Sequence, residues 1–246
     1  MLIAILSDIH ANREAYETCL EAAAAAGAER IVLLGDIVGY GADPQWCVDK
    51  TRELVAAGAI CLRGNHDEAA VIGPTSMNET ATTAIEWTRT QLSPEALAFL
   101  ADLPMTVEED DRLYVHADAS SPARWHYVTD AESAGIHFDA TPKRVSFCGH
   151  LHQPGLYSRL GQGTVTAFTP NSAGPLPLLT QRRWLAVMGA VGQPRDRNPA
   201  AAYGLYDDRT RDLRFMRAAY DVDTAANKIR AAGLPDSLAT RLLSGR

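Results

Sequence analysis

Five short blocks of the chain carry side chains that bind divalent metal ions: Asp8-Ile9-His10, Gly35-Asp36, Gly64-Asn65-His66-Asp67, His116, and Gly149-His150-Leu151-His152. Carboxylate, imidazole and amide donors with no thiolate among them suit borderline-to-hard ions such as Mn, Fe, Zn or Co. Two such ions held ~3.5–4 Å apart can clamp a phosphoryl group and hold a bridging hydroxide as nucleophile.

Each block sits where an apolar run ends. Leu2–Leu6 runs into Ser7-Asp8, Ile31–Leu34 into Gly35-Asp36, and Ala59–Leu62 into Arg63-Gly64-Asn65. Leu113–Val115 stops at His116, and Val145–Cys148 at Gly149-His150. Ligands of α/β sheets bind outside the carboxyl ends of the strands. Of the 7 histidines, five occupy these ends, which scattered surface residues would not do. In Asp8-Ile9-His10 and His150-Leu151-His152, alternate residues of an extended chain would point the same way and offer paired ligands. Taken singly, Gly35-Asp36 could be a turn and Asn65-His66-Asp67-Glu68 the acidic opening of a helix. Five such blocks at five strand ends argue for a metal site.

The elements that must position these residues alternate in the first part of the chain. Strands over Leu2–Leu6, Ile31–Leu34 and Ala59–Leu62 are separated by helices from an Asn12 cap to about Ala26 and from about Pro44 to Ala57. Helical segments follow across Met77–Leu92 and Pro94–Leu100. Arg112–His116, Val145–Cys148, Leu156–Arg159, Val165–Phe168 and Trp184–Met188 read as antiparallel strands. Ala201–Tyr206 and Asp212–Ala219 form a hairpin around Asp207–Arg211. Asp223 is expected to cap a helix reaching Ala232, with a last short helix from Pro235 to Leu243. The stretch from Pro170 to Pro177 is a loop or strand entry, so residues 1–246 are expected to form one domain. His126 and His137 fall in loops and receive no role.

At 246 residues and 46% hydrophobic, the chain can bury a large core. No apolar run approaches the ~20 residues that cross a bilayer, and Met1–Leu6 reads as a strand rather than a signal peptide. Four dispersed cysteines (Cys19, Cys47, Cys61, Cys148) suggest no disulfide framework, as in a reducing compartment, and a cytoplasmic location is expected. A net charge of -7 disfavours long nucleic acid, whose binders present basic faces. A small phosphorylated substrate, a nucleotide included, is the expected partner.

The blocks D-x-H, G-D, G-N-H-[D/E], H and G-H-x-H, in this order, resemble the signature of the calcineurin-like metallophosphoesterase superfamily. Gly35–Gly41 and Val191–Asp196 are similar to its small prokaryotic, diadenosine-tetraphosphatase-like branch. The resemblance implies a four-layer sandwich, α/β in class, of two mixed β-sheets flanked by helices. The dinuclear metal site would lie at the carboxyl edge of the strands. One ion would be held by Asp8, His10, Asp36 and His152, and the other by Asp36, Asn65, His116 and His150, with Asp36 bridging. His66 would bind no metal and would protonate the leaving oxygen. Arg63 and Arg195 are the basic residues considered for the phosphate, because a guanidinium fork donates two hydrogen bonds. Tyr40 is considered for stacking on an aromatic leaving group. Ala11 stands where relatives commonly carry Gly, and Ala117-Asp118 follows His116 where Gly is common. Neither change removes a ligand.

The implied activity is metal-dependent hydrolysis of a phosphate ester or phosphoanhydride. The alternative is a non-catalytic scaffold of the same fold, but such relatives tend to lose the histidine of G-N-H, which is present here as His66. A nuclease of the double-strand-break type would need a capping region and basic contacts that this short acidic chain does not offer.

Overall fold

Along Leu2–Leu6 (β1), Ile3 and Ile5 enter one buried layer and Ala4 and Leu6 another. This is the two-residue period of a strand covered on both faces. The computed structural model describes residues 1–170 and 174–246. After β1 come Arg13–Ala25 (α1), Arg30–Leu33 (β2), Pro44–Ala56 (α2), Ile60–Cys61 (β3), Asn65–Ile72 (α3), Glu79–Gln91 (α4) and Pro94–Asp102 (α5). Thr106–Glu109 (β4), Arg112–Val115 (β5), Ala131–Ala140 (α6), Val145–Cys148 (β6), Pro154–Leu160 (β7) and Val165–Phe168 (β8) follow. Leu176–Pro177 (β9), Arg182–Met188 (β10), Ala201–Asp207 (β11), Asp212–Ala218 (β12), Val222–Ala231 (α7) and Asp236–Ser244 (α8) complete the chain.

The strands form two mixed six-stranded sheets, in the orders β3-β2-β1-β11-β12-β9 and β4-β5-β6-β10-β7-β8. Between them lies a core of Ile3, Ile5, Val32 and Leu34 from the first sheet and Tyr114, Val145, Phe147 and Ala186 from the second. The outer face of the first sheet packs on α1 and α2 through Tyr16, Cys19, Cys47 and Val48. The outer face of the second packs on α6 through Ala134 and Phe138. Two sheets inside and helices outside give the four expected layers. All four cysteines are buried free thiols. Among the described residues, no helix is long and apolar enough to cross a membrane.

The caps explain several element starts. Asn12 accepts from the Ala15 N–H, Asn78 from Ala81 and Ser93 from Ala96, with Pro94 at the first helical position of α5. The cap of α7 is Asp221, which accepts from Thr224; Asp223 lies inside the first turn. β5, β6 and β10 run parallel rather than antiparallel, because the segment carrying α6 crosses back between β5 and β6 and the β7–β8 hairpin intervenes before β10. Among the described residues the antiparallel pairs of this sheet are β4 with β5, β10 with β7 and β7 with β8. Neither β4 nor α6 was expected: β4 is a four-residue edge strand bearing two glutamates, and α6 carries Gly135 in its interior. Of the Pro170–Pro177 stretch, residues 171–173 lie outside the described residues, and Leu176–Pro177 pairs with β12.

Candidate metal centre

The loops leaving β1, β2, β3, β5 and β6 meet at one edge of the sandwich. They are laced together by backbone hydrogen bonds: Asp8 N–H to Gly35 O (3.1 Å), His10 N–H to Asp36 O (2.9 Å), Gly149 N–H to His116 O (2.9 Å) and Gly192 N–H to Asp8 O (2.8 Å). These bonds require the chain to turn at once on leaving each strand. Asp8, His10, Asp36, His150 and His152 accordingly have φ of 55°, 49°, 54°, 66° and 63°. The D-x-H and H-x-H pairs are therefore not extended segments with alternating side chains, as expected from sequence, but left-handed turns. Such conformations cost a non-glycine residue of order 1–3 kcal/mol and cluster where function requires them.

The donor atoms are arranged in a consistent way. Asp8 Oδ2 accepts from the His150 N–H (3.0 Å), and Asp36 Oδ1 accepts from the His66 N–H (2.8 Å). The second oxygen of each carboxylate, Asp8 Oδ1 and Asp36 Oδ2, is buried without a hydrogen-bond partner. The ring Nδ1 atoms of His10, His116 and His152 lie 3.2, 2.9 and 2.7 Å from the carbonyl oxygens of Val38, Leu34 and Gln193. A carbonyl only accepts, so each Nδ1 carries a proton and Nε2 is the ring atom left to face a cation, the orientation typical of metal-ligating histidines. His10 Nε2 and His152 Nε2 face each other at 3.0 Å. Two lone pairs that close repel unless a cation lies between them and the carboxylates.

Two donor groups result. Ligand atoms of Asp8, His10, Asp36 and His152 lie within 4.8 Å of one another, as do those of Asp36, His116 and His150, and all are buried. Asp36 belongs to both. Asn65 Oδ1, 3.3 Å from His116 Nε2, extends the second group. The unpartnered carboxylate oxygens and the imidazole Nε2 atoms form two groups that could hold divalent metal ions.

The electrostatics agree with that fit. Burial opposes ionisation of Asp8 and Asp36, yet the neighbouring imidazoles, His152 beside Asp8 and His116 beside Asp36, hold both carboxyls below the usual range. His116 is the exception: burial works against its charged form, but the Asp36 carboxylate outweighs it and raises its pKa to about 9, so a cation held at its Nε2 must displace a proton. Burial drives His10 well below its ordinary value and His150 down to about 3, so these rings keep lone pairs free for a cation.

Asp67 fastens the framework. Its carboxylate accepts from the N–H groups of Ile37, Val38 and Gly64 at 2.8, 3.2 and 2.9 Å, tying the β2 loop to the start of α3. Burial, with the charge of Asp36, pushes its pKa up to about 7. Beside it, a Cβ on Gly64 would collide with the Asp36 carboxylate and backbone N. Gly64→Ala should destabilise the protein by about 2 kcal/mol, the scale of overpacking. At this chain length that is a fall of roughly 4–8 °C in Tm, which differential scanning calorimetry would register. An unchanged Tm would mean that the loop relaxes freely around Asp36.

Other residues singled out from sequence are placed unequally. His66 lies outside both donor groups, its ring 4.8 Å from His10 and 4.4 Å from Tyr40. Burial lowers its pKa to about 4, and Arg195 adds to the effect. Tyr40 is largely buried against His10 and His66, so it packs the site more than it offers a stacking face. Arg195 sits over the Tyr40 ring at 5.7 Å, its N–H groups on Gln193 Oε1. Arg63 instead donates to Ala101 O at the end of α5 (3.3 Å), and no described contact brings it to the donor groups. His137, expected in a loop, is buried in α6 and accepts from the Ala119 N–H (3.2 Å).

Two neighbours of the donors were not anticipated. Tyr127 stacks on His150 at 4.1 Å with 13° between planes, and Trp125 meets His116 edge-on at 5.7 Å. Their signal in sequence was an aromatic pair in a turn-rich segment, Ser120-Ser121-Pro122-Ala123-Arg124-Trp125-His126-Tyr127.

Comparison with known proteins agrees with this geometry. The chain is 34% identical, over its full length and 98% of the relative's, to an uncharacterized protein of Methanocaldococcus jannaschii. It superposes on a metallophosphoesterase from Sphaerobacter thermophilus with a TM-score of 0.88 and 36% identity, covering 100% of this chain and 99% of that one. A hypothetical protein from Pyrococcus horikoshii shares the fold at a TM-score of 0.81, with 17% identity and coverage of 100% and 98%. Residues 1–210 match the model of the calcineurin-like phosphoesterase superfamily domain, and the chain belongs to that family.

Proposed function

We propose that the protein hydrolyses phosphate esters or phosphoanhydrides at a centre of two divalent transition-metal ions. The observation that carries this reading is the pair of half-satisfied carboxylates: Asp8 and Asp36 each fix one oxygen on a backbone N–H and leave the other buried and unpaired among imidazole nitrogens. Such an arrangement is costly unless a cation completes it. When bound, the ions supply Lewis acidity and lower the pKa of water, the two needs of phosphoryl transfer.

The chain's own residues have distinct tasks. Asp8, His10, Asp36 and His152 would hold one ion, and Asp36, Asn65, His116 and His150 the other. The carbonyls of Val38, Leu34 and Gln193 fix the imidazole rings. His66 presents Nε2 to the ester, since its Nδ1 is buried against Gly39 without a partner. Its imidazole is neutral beside the other histidines, and the charge of an arriving phosphate ester is what would let it hold a proton for the leaving oxygen. Arg195, which lies over the Tyr40 ring, would be the cation that receives a phosphate oxygen.

The test is a hydrolysis screen of metal-supplemented protein over monoesters, diesters and dinucleoside polyphosphates. Turnover of at least one class, abolished by chelation and restored by Mn, is the expected result. Full activity in a thoroughly metal-stripped sample would overturn the two-metal reading. Stoichiometric metal binding with no turnover of any class would favour a non-catalytic scaffold.

A further inference from the structure

Beside the second donor group opens a cleft of about 390 Å³ that no residue discussed so far as catalytic fills. Asn65 and His150 line it together with Glu68, Arg124, Trp125 and Tyr127. The aromatic walls are held in place rather than loose. Trp125 Nε1–H donates to Glu68 Oε2 on α3 (3.3 Å). The loop that carries both rings is pinned at its base: Asp118 accepts from Ser120 Oγ–H (2.7 Å) and the Ser121 N–H (3.2 Å), while buried His137 accepts from the Ala119 N–H. Tyr127 lies flat on His150, and its other surfaces leave it 50% exposed. An aromatic ring stacked on a candidate metal-ligand histidine, half exposed and lining a cleft, has the geometry of a stacking platform.

We propose that this cleft binds a planar aromatic group carried by the phosphate ester, a nucleobase or an aryl ring, stacked on Tyr127 with Trp125 alongside. His150 and Asn65 border both the donor group and the cleft, so an ester whose phosphorus sits over the ions would direct its organic part here. Stacking suits any ring with a π-face, and hydrogen-bonding groups at the rim, the Glu68 carboxylate and the Arg124 guanidinium, can engage the edge of a heterocycle. The inference rests on the phosphoesterase reading for the chemistry but concerns which leaving group is preferred.

Two measurements on the metal-supplemented full chain test it. The first is kcat/KM for an aryl phosphate, a nucleoside phosphate and an alkyl phosphate whose leaving group matches the aryl one in acidity. The wild type should favour the aromatic esters, and Tyr127→Ala should lower the aromatic-to-alkyl ratio by roughly 5–100-fold, the range of one stacked ring. Tyr127→Phe, which keeps the ring, should restore the ratio. Using the ratio removes any uniform loss caused by disturbing His150. Preference for the nucleoside ester alone identifies the ring as a base, and preference for the aryl ester alone identifies it as a simple arene. An unchanged ratio in Tyr127→Ala overturns the subsite even though hydrolysis proceeds. The second measurement is calorimetric binding of phenylphosphonate against methylphosphonate. Should no ester be hydrolysed, an aromatic preference lost in Tyr127→Ala still supports the subsite while the hydrolytic reading falls, and equal binding of the two phosphonates overturns it.

Discussion

Asp36→Asn is expected to strip the protein of both metal ions and to lower kcat/KM by about 10³-fold, since metal ions supply several kcal/mol of transition-state stabilisation. Asp36 is the one side chain common to both donor groups, and its unpartnered Oδ2 lies 3.6 Å from His10 Nε2 and 3.4 Å from His116 Nε2. The asparagine side chain can still accept from the His66 N–H, so the start of α3 is kept. What disappears is the charge shared by both sites. His152→Ala is the control: His152 belongs to the first group only, so its loss should release about one of the two ions. Elemental analysis of both variants after identical metal loading decides the matter. Equal metal loss in the two would mean that Asp36 does not bridge.

The donors were legible in the sequence because they are defined by residue type and by position at strand ends, both visible in one dimension. The same holds for the strands that carry them, whose apolar runs are short and bounded by glycine. What could not be read is whatever depends on the backbone of distant segments. The acceptors that orient His10, His116 and His152 are the carbonyls of Val38, Leu34 and Gln193, and every residue has a carbonyl. The left-handed turns at Asp8, His10, His150 and His152 arise from bonds between loops far apart in the chain, so local pattern suggested extended pairs instead. Arg63 adjoins the G-N-H block, yet its guanidinium turns to α5. Adjacency in sequence did not carry over to adjacency in space.

The parallel arrangement of β5, β6 and β10 was hidden for a related reason. It depends on recognising α6 as a crossover, and α6 is a ten-residue helix with an internal glycine. Its capping box, Asp130 with Ser133, was the available sign. The same helix anchors the aromatic loop through His137, so missing it also concealed why Trp125 and Tyr127 stand beside the donors.

His66→Ala should slow hydrolysis of alkyl or nucleoside esters by about 10²–10⁴-fold, the usual worth of general acid catalysis, while slowing nitrophenyl esters far less. Departure of the ester oxygen builds negative charge, and a poor leaving alcohol needs a proton at that moment. An activated phenolate does not. On the proposed reading the proton comes from His66 Nε2, because Nδ1 lies unpartnered against Gly39 in the interior, and the backbone bond from the His66 N–H to Asp36 Oδ1 fixes the residue beside the candidate donors. His66 stands outside both donor groups, so the substitution should leave metal content near that of the wild type. The measurement is kcat/KM for both ester types alongside metal stoichiometry. A uniform rate loss together with a missing ion would instead make His66 a ligand, and the proton would have to come from elsewhere.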